Sequence, residues 1–274
     1  MSYRIIVSPA KKMNVVDDEP HPRTQPVFLA QTIRLMHEVQ RLSYEECREL
    51  WKCSDKLARP NYQRFQAMDL TQASSAAVCA YEGIQYQHLC AQVMSAGQLA
   101  WLQDHLRILS GFYGVLRPLD GVVPYRLEMQ AKLSVGGAKD LYEFWGTSLY
   151  DALAAEADTI VNVASVEYAR AVTRHAMEGG PRMVTCLFGE PRGELGLVQK
   201  STEAKAARGT FVRWCAENRV EDPYDFRDFA ERGYRYDPAR SQDATRRQQP
   251  AGRRQAAGSH GAGNEVMVFC LQES

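Results

Sequence analysis

The chain contains 274 residues, of which 45% are hydrophobic and 24% are charged, and its 33 basic and 33 acidic side chains give a formal net charge of zero. This is the composition of a soluble globular protein with a sizeable core, and no apolar run approaches the roughly 20 residues of a membrane span. Seven scattered cysteines without a C-x-x-C pair argue against structural zinc, and because the first residues lack the layout of a signal peptide, we expect a cytoplasmic protein.

Short β-rich runs alternate with longer segments of helical periodicity along the chain. Strands are predicted at residues 4–7, 107–110, 159–164, 182–188, 195–200 and 265–271. Helices are predicted at residues 27–42, 44–52, 59–68, 96–106, 143–157 and 203–219, with a break at "CSDKLA" before the third helix. This alternation predicts an α/β fold, with a mixed sheet and surrounding helices.

Residues 240–264 differ in composition from the rest of the chain. They contain five arginines and one acid, Asp243, together with many Gln, Gly and Ala residues and few apolar side chains. Such a segment buries too little surface to offset its ordering entropy, so we expect a disordered insert. Because the insert carries a charge of +4, the remainder carries −4, and any anion-binding surface there must be a local cluster.

Three strand-like runs end in small or polar residues that precede reactive ones: "SPAKK" (8–12), "SGFYG" (110–114) and "NVASVEY" (162–168). Ligands of open α/β sheets bind outside the carboxyl ends of the strands, so we expect these segments to meet at one pocket. Its candidate side chains are Ser8, Lys11, Ser110, Arg117, Arg126, Glu128, Asn162, Ser165, Glu167 and Tyr168.

The segment 107–129, "RILSGFYGVLRPLDGVVPYRLEM", would form the floor and one wall of this pocket. Gly111 and Gly114 would permit turns with positive φ there. The alternative is purely structural: "SGFYG" is then only a tight turn, and Glu128 only an ion-pair partner for an arginine.

A second candidate is the segment 43–65, in which Ser43 and Glu46 form a capping box ahead of a helix. Helix, short hairpin, helix is the layout of non-specific DNA-binding hairpins, whose backbone N–H groups and nearby cations meet phosphates. The contacts would be Lys52, Ser54, Lys56, Arg59 and Arg64. The alternative is a helical hairpin packed on the core with solvated charges, and four acids, Glu45, Glu46, Glu49 and Asp55, dilute the positive field.

A third candidate lies near the start of the helix at 203–219, where Lys205 and Arg208 stand three residues apart. The pair would face an anion or, alternatively, belong to a solvated helix face. The histidines show no H-x-x-x-H or H-E-x-x-H spacing, and the chain has no phosphate-binding glycine loop. We therefore expect neither a metal site nor a cofactor.

The segments "IVSPAK", "CSDKLA", "HLRILSGFYGVLRPLDGVVPYRLEM", "LYEFWG", "NVASVEY", "AARG" and "GYRYDP" follow, in order, the motifs of one protein family. In these motifs the chain resembles the YaaA family of bacterial peroxide-stress proteins. The likeness covers roughly Ile5 to Pro238 and resumes at the terminal strand, and the 105–129 block is its most specific part.

The resemblance implies a compact single-domain α/β fold, here residues 1–239 completed by the terminal strand 265–271, with a helix-hairpin-helix element that we place at 43–65. It also implies a cytoplasmic protein that survives hydrogen peroxide by limiting free iron and that binds double-stranded DNA in a positively charged cleft. No established enzymatic activity accompanies the family.

The first hypothesis is therefore a monomeric, non-enzymatic protein that binds duplex or distorted DNA without sequence specificity. The contacts would be the hairpin residues together with Lys11, Lys12, Arg117, Arg126, Lys205 and Arg208. Three lysines of the family pattern are absent, since Glu82, Gly189 and Ala206 stand at their positions. Phosphate contacts dominate non-specific affinity, so these departures predict weaker DNA binding unless the arginine-rich insert replaces part of the lost positive charge.

The second hypothesis is an enzyme that acts on a small nucleotide-like ligand, a nucleotide or nucleobase, at the strand ends. Its catalytic candidates are Lys11, Glu128, Asn162, Glu167 and Tyr168, with Glu167 as general base and Lys11 as an anion or Schiff-base partner. A closed pocket with a buried lysine and carboxylate would favour chemistry, whereas an open basic groove would favour DNA. Direct iron sequestration is disfavoured, because the sequence contains no E-x-x-H pair of the ferritin-like kind.

Overall fold

A computed structural model describes residues 2–248 and 264–272. The described residues form twelve strands: β1 (Tyr3–Val7), β2 (Lys12–Met13), β3 (Ser75–Ala76), β4 (Tyr81–Glu82), β5 (Leu106–Ser110), β6 (Gly114–Leu116), β7 (Gly121–Val122), β8 (Thr159–Asn162), β9 (Arg182–Arg192), β10 (Gly196–Val198), β11 (Tyr234–Tyr236) and β12 (Glu265–Leu271). All six strands expected from the sequence are present.

The same residues form eleven α-helices: α1 (Leu29–Gln40), α2 (Tyr44–Trp51), α3 (Asp55–Gln66), α4 (Ala77–Ala80), α5 (Ile84–Leu89), α6 (Ala96–His105), α7 (Leu141–Trp145), α8 (Ser148–Ala154), α9 (Val166–Thr173), α10 (Ser201–Asn218) and α11 (Pro238–Gln248). Together with the strands they build one mixed α/β domain, as the sequence predicted. None of the helices in the described part of the chain is long and apolar enough to cross a membrane.

The central sheet has the strand order β11-β12-β9-β8-β1-β5-β6, and β10 pairs with the end of β9. The five inner strands β12, β9, β8, β1 and β5 run parallel to one another, while β6, β10 and β11 are antiparallel to their neighbours. Inner strands of this kind are covered by helices on both faces, which explains why β1 and β8 are apolar and buried almost throughout.

Helix caps follow the sequence closely. Ser43 and Ser95 each accept a hydrogen bond from the backbone of the third helical residue, and the capping boxes of α2 and α6 are complete. The predicted helix at 143–157 is instead two helices, α7 and α8, because Gly146 adopts φ +50° between them. Helix α3 begins four residues earlier than expected, so α2 and α3 are joined by residues 52–54 alone.

The prediction of disorder from residue 240 onward is wrong for the first part of that segment, where α11 extends to Gln248. The helix forms because it packs on β12. Ser241 Oγ accepts a hydrogen bond from the Val268 backbone N–H at 2.9 Å, and Thr245 Oγ1 accepts one from Val266 at 2.8 Å. The remaining residues of the predicted insert, up to 263, lie outside the described residues.

Candidate functional site

The carboxyl ends of β1, β5 and β8 meet at one edge of the sheet. β1 lies between the other two strands, and the chain leaves β1 toward β5 but leaves β8 toward β9, on the opposite side. The gap between β1 and β8 is therefore a topological switch point, where α/β sheets bind ligands. Here Ser8 Oγ accepts a hydrogen bond from the Ser165 backbone N–H at 2.8 Å and lies 3.1 Å from Ser165 Oγ.

The segment after β7 folds back over this edge because residue 111 is glycine. A Cβ at Gly111 would lie 2.6 Å from the carbonyl oxygen of Leu127 and 3.0 Å from the backbone of Met129. Gly114 adopts φ +76°, as expected for a turn glycine, whereas Gly111 is required for this close approach of two backbones. The fold-back places Arg126 and Glu128 beside the ends of the central strands.

Arg126, Glu128 and Lys11 form a charged cluster at this edge. Glu128 Oε1 lies 3.0 Å from Arg126 Nη2 and 3.5 Å from Lys11 Nζ. The Arg126 and Glu128 side chains are each 9% exposed, while Lys11 is 62% exposed. Within the part of the chain that the structure describes, Arg126 Nε is buried without a hydrogen-bond partner, whereas Glu128 Oε1 is held by its two ion pairs. A buried polar atom without a partner is unusual in a folded protein, and a bound ligand would supply the missing partner.

Glu167 and Tyr168 lie in the first turn of α9, directly after the Ser8–Ser165 contact. Glu167 Oε1 accepts a hydrogen bond from the Gln130 backbone N–H at 3.4 Å, so it faces the folded-back segment. Burial and the nearby Glu128 carboxylate raise the pKa of Glu167, while Gln130 and Lys11 oppose that shift. Burial raises the pKa of Tyr168 well above its usual value. Glu167 therefore holds its proton to a higher pH than an exposed glutamate does.

Asn162 and Ser110 are engaged in structural contacts at the same edge. Asn162 Oδ1 accepts a hydrogen bond from the Ala164 backbone N–H at 3.0 Å, which shapes the turn into α9. Ser110 Oγ accepts hydrogen bonds from the backbone N–H groups of Phe112 and Tyr113 and lies 2.6 Å from the Tyr125 hydroxyl. Both side chains therefore stabilise the backbone turns beside the site.

A set of aromatic residues behind the site was not found from the sequence. The Tyr125 hydroxyl lies 2.8 Å from that of Tyr81, and burial raises the pKa of Tyr125 to about 12. Tyr86 and Gln85 both donate hydrogen bonds to the backbone carbonyl of Ser8, at 2.9 and 3.1 Å. Tyr81, Gln85 and Tyr86 lie in the segment "AYEGIQY" (80–86), whose spacing does not show that it faces the end of β1.

The expectation that Arg117 forms a wall of this pocket with Arg126 is wrong. Because β6 runs antiparallel to β5, its last residue pairs with Ile108 and the chain leaves toward the amino-terminal edge of the sheet. Arg117 there lies 3.4 Å from Glu156, which also contacts Arg4 and Arg107 at the starts of β1 and β5. Arg117 and Arg126 therefore lie at opposite edges of the sheet.

Lys12 lies close to the site in sequence but is neutralised. It occupies β2, which pairs with β4, and its Nζ lies 2.7 Å from Glu82 Oε1. Glu82 also accepts a hydrogen bond from Asn14 at 2.5 Å. Glu82 therefore balances the positive charge of Lys12.

The helices α2 and α3 present the hairpin residues to solvent. Asp55, the acid closest to the turn, accepts hydrogen bonds from Tyr44 at 2.8 Å and from Arg48 at 3.0 Å. Arg59 lies over the Tyr44 ring, 4.9 Å from its centroid. The proposed contacts Lys52, Ser54, Lys56, Arg59 and Arg64 are all exposed. The four cations among them form no salt bridge with any described residue.

Lys205 and Arg208 lie in the first half of α10. Lys205 is exposed, while Arg208 is half-buried and donates to Gln199 Oε1 at 3.4 Å. The next residue, Gly209, packs against the backbone of Gln85 on α5. Neither residue contacts the Lys11–Glu128 cluster directly. In the described ranges, no group of three or more His, Cys, Asp or Glu side chains is placed to hold a metal ion.

Comparison with known proteins places residues 3–240 in one family. The model of the family described as "Peroxide stress protein YaaA" matches residues 3–240. The chain belongs to the YaaA family.

Similar proteins of the YaaA family, named UPF0246 proteins, occur in several bacteria. The chain is 47% identical to that of Lachnoclostridium phytofermentans over 235 residues, which cover 85% of this chain and 91% of the relative. It is 47% identical to that of Pediococcus pentosaceus over 233 residues, covering 85% and 92% of the two chains. It is 45% identical to that of Lactiplantibacillus plantarum over 240 residues, covering 87% and 95%. The candidate site and the α2–α3 hairpin both lie inside the region matched by the YaaA model.

Proposed function

We propose that this peroxide stress protein binds the backbone of double-stranded DNA without sequence specificity and thereby helps to limit damage by free iron. The observation that carries the proposal is the α2–α3 hairpin, where Lys52, Lys56, Arg59 and Arg64 are exposed and have no carboxylate partner among the described residues. The hairpin's Asp55 accepts hydrogen bonds from Tyr44 and Arg48 and forms no salt bridge with these four cations.

Backbone recognition fits the charges better than base recognition does. Exposed lysines and arginines on a short turn meet phosphates, which fix position but carry no sequence information. The electrostatic part of such binding falls with salt, with a log–log slope of about −0.9 for each neutralised phosphate. Since the whole chain has a net charge of zero, this local cluster must supply the attraction.

The decisive experiment is a salt titration of duplex binding with the double variant Lys56→Gln/Arg59→Gln. We expect weaker binding to every duplex sequence and a salt slope that is less steep by about 1 to 2, one step of roughly 0.9 for each lost phosphate contact. The matched control is Arg41→Gln, an exposed arginine paired with Glu38 at 3.0 Å outside the hairpin. An unchanged slope in the double variant, or an equal loss in Arg41→Gln, would exclude the hairpin as the DNA-binding surface.

A second candidate function is an enzyme that acts on a nucleotide or nucleobase at the carboxyl edge of the sheet. Its support is the buried Arg126–Glu128 pair at the switch point, with Arg126 Nε unsatisfied among the described residues, next to Glu167 with its raised pKa. A DNA groove does not need buried charged groups, whereas a few such groups are typical of a small-ligand pocket. Lys11, expected to be buried in such a site, is exposed and would serve as a mobile rim cation.

The variant Glu167→Gln separates the two functions. Under the enzyme hypothesis it abolishes peroxide resistance in complemented cells while duplex affinity stays at the wild-type value. Under the DNA-binding hypothesis it changes neither, and the Lys56→Gln/Arg59→Gln variant abolishes resistance instead. Cellular free iron, measured by electron paramagnetic resonance in the same strains, shows whether limitation of iron follows the DNA-binding variant.

A further inference from the structure

Three arginines converge on one carboxylate at the amino-terminal edge of the sheet, away from the candidate site. Glu156 Oε2 lies 3.1 Å from Arg4 Nε and 2.6 Å from Arg107 Nη2. Glu156 Oε1 lies 3.4 Å from Arg117 Nη2. We infer that this arginine cluster (Arg4, Arg107, Arg117 and Glu156) is a binding site for a phosphate group.

The first argument is charge. Three guanidinium groups meet one carboxylate, and guanidinium groups remain protonated in proteins. Their joint effect is visible on Glu156, whose pKa lies below its usual value because all three arginines outweigh its burial. A further acid that interacts with Arg117 and Arg107 is Asp120, which is buried and accepts hydrogen bonds from Thr24 and from the Arg117 backbone. Counting Asp120 as ionised leaves one excess positive charge, and counting it as protonated leaves two.

The second argument is that the three arginines differ in their burial and in their contacts. Arg107 is 4% exposed in its side chain, and it uses its guanidinium on Glu156 and on the backbone carbonyls of Gln103 and Leu106. It is therefore the buried base of the cluster. Arg4 and Arg117 lie nearer the surface, with 19% and 40% of their side chains exposed.

The third argument is that the Arg117 guanidinium has an N–H donor without a hydrogen-bond partner among the described residues. Arg117 makes a single long contact with Glu156, and its Nε is buried without a hydrogen-bond partner in the described part of the chain. A planar guanidinium offers paired N–H groups whose spacing matches two oxygens of one phosphate. A phosphate seated between Arg4 and Arg117 would accept hydrogen bonds from the accessible nitrogens of these two partly exposed guanidinium groups and offset the excess charge. A carboxylate has two oxygens and one charge, so it matches the cluster less completely.

The phosphate group has two sources, a free phosphorylated small molecule or a phosphate of the DNA backbone, and the test distinguishes them. The probes are inorganic phosphate and a short duplex, applied to the full-length protein. The variant is Arg117→Gln, which leaves the Arg107–Glu156 contact in place, with Arg4→Gln as a second variant. The control is Arg41→Gln, an exposed arginine that pairs with the single carboxylate of Glu38.

We expect inorganic phosphate to raise the wild-type Tm above that in sodium chloride of equal ionic strength, and to bind with one-to-one stoichiometry in calorimetry. Arg117→Gln and Arg4→Gln should each lose about tenfold or more in phosphate affinity, as is usual for a lost charge-assisted hydrogen bond. Arg41→Gln and Lys56→Gln should bind phosphate as the wild type does. If the natural ligand is the DNA backbone, phosphate competes with the duplex and Arg117→Gln weakens duplex binding. If it is a small molecule, duplex affinity is unchanged.

Two results would overturn the inference. One is a wild-type Tm that responds equally to phosphate and chloride, which would leave the cluster as an anchor between the strand starts and the loop before β8. The other is retention of phosphate binding in both arginine variants, each checked for folding by circular dichroism. Because Lys56→Gln tests the hairpin separately, failure of this site does not affect the proposed DNA-binding surface.

Discussion

At the scale of single residues, the chain of hydroxyl groups behind the candidate site has a fixed direction. Ser110 Oγ accepts two backbone N–H bonds, so its own hydrogen is directed to the Tyr125 oxygen, and Tyr125 donates in turn to Tyr81. All three groups are buried. Such a network is stable only when each member is present, because a buried hydroxyl without a partner loses its hydration without compensation.

The variant Tyr125→Phe should therefore lower the free energy of unfolding by about 1–3 kcal/mol, since it leaves the Ser110 hydroxyl without an acceptor. Urea denaturation followed by circular dichroism measures the change. Tyr224→Phe is the matched control, because Tyr224 is 67% exposed and its variant should remain within about 0.5 kcal/mol of wild type. Equal stability of the two variants would show that the network does not contribute.

Glu167 gives a prediction about pH. Its pKa is raised in the folded protein, so between the unfolded value of about 4.3 and the folded value the native state binds more protons than the unfolded state. Its contribution to stability is therefore present at low pH and is lost as the pH rises through that window. Glu167→Gln removes this dependence, so the variant should gain stability relative to wild type between pH 4 and pH 7. Urea denaturation across this range tests the sign, and a loss relative to wild type would contradict the burial of this carboxyl.

At the scale of elements, α11 shows how a polar helix is held by the strand beside it. Its composition favours disorder, yet Ser241 and Thr245 accept the backbone N–H groups of Val268 and Val266 on β12. These N–H groups point away from β9 and would otherwise lie unpaired beneath the helix. The strand therefore supplies the interaction that the isolated segment lacks.

Ser241→Ala should lower the free energy of unfolding by about 1–3 kcal/mol, because the buried Val268 N–H then has no acceptor. Hydrogen exchange of that amide should become faster. Ser201→Ala, at an exposed serine in the first turn of α10, is the control and should change neither quantity beyond about 0.5 kcal/mol. Unaltered exchange at Val268 in Ser241→Ala would mean that α11 is not docked there.

At the scale of the whole molecule, several cations near the candidate site and elsewhere on the surface are paired with carboxylates. Lys12 is paired with Glu82, and Lys200 with Glu190 at 2.6 Å. Arg126 is buried against Glu128, and Arg117 lies at the other edge of the sheet. Among the cations that the sequence offered as DNA contacts, Lys52, Lys56, Arg59 and Arg64 are exposed, lie together on the α2–α3 hairpin and form no salt bridge with a described residue, which is why the proposed DNA contact is assigned to them.

Glu82→Gln should increase duplex affinity several-fold at low salt, since it frees Lys12 and adds about 0.9 to the steepness of the salt dependence if Lys12 then meets a phosphate. Glu190→Gln frees Lys200 elsewhere on the surface and provides the control. A fluorescence titration at two salt concentrations measures both. An equal gain in the two variants would indicate a general charge effect with no local contact at Lys12.

The order of the elements was predictable from the sequence, because apolar periodicity and capping residues are local properties of the chain. The six strands, the capping boxes at Ser43 and Ser95 and the family motifs all have this origin. The break at Gly146 was missed because a positive φ leaves no periodic signal, and α11 because it depends on a docking strand. The shorter elements were missed as well, namely strands β2, β3, β4, β6, β7 and β11 and helices α4, α5 and α9, because so few residues carry little periodic signal.

The sequence by itself determined the family, the α/β class and the three segments that end at the carboxyl edge of the sheet, because each of these depends on residues near one another in the chain. Only the tertiary structure decided which charges meet. It brought Lys11, Arg126 and Glu128 together, moved Arg117 to the opposite edge beside Glu156, and paired Lys12 with Glu82. The physical reason is that strand direction and register, which arise from pairing between distant segments, determine the edge of the sheet at which a side chain lies.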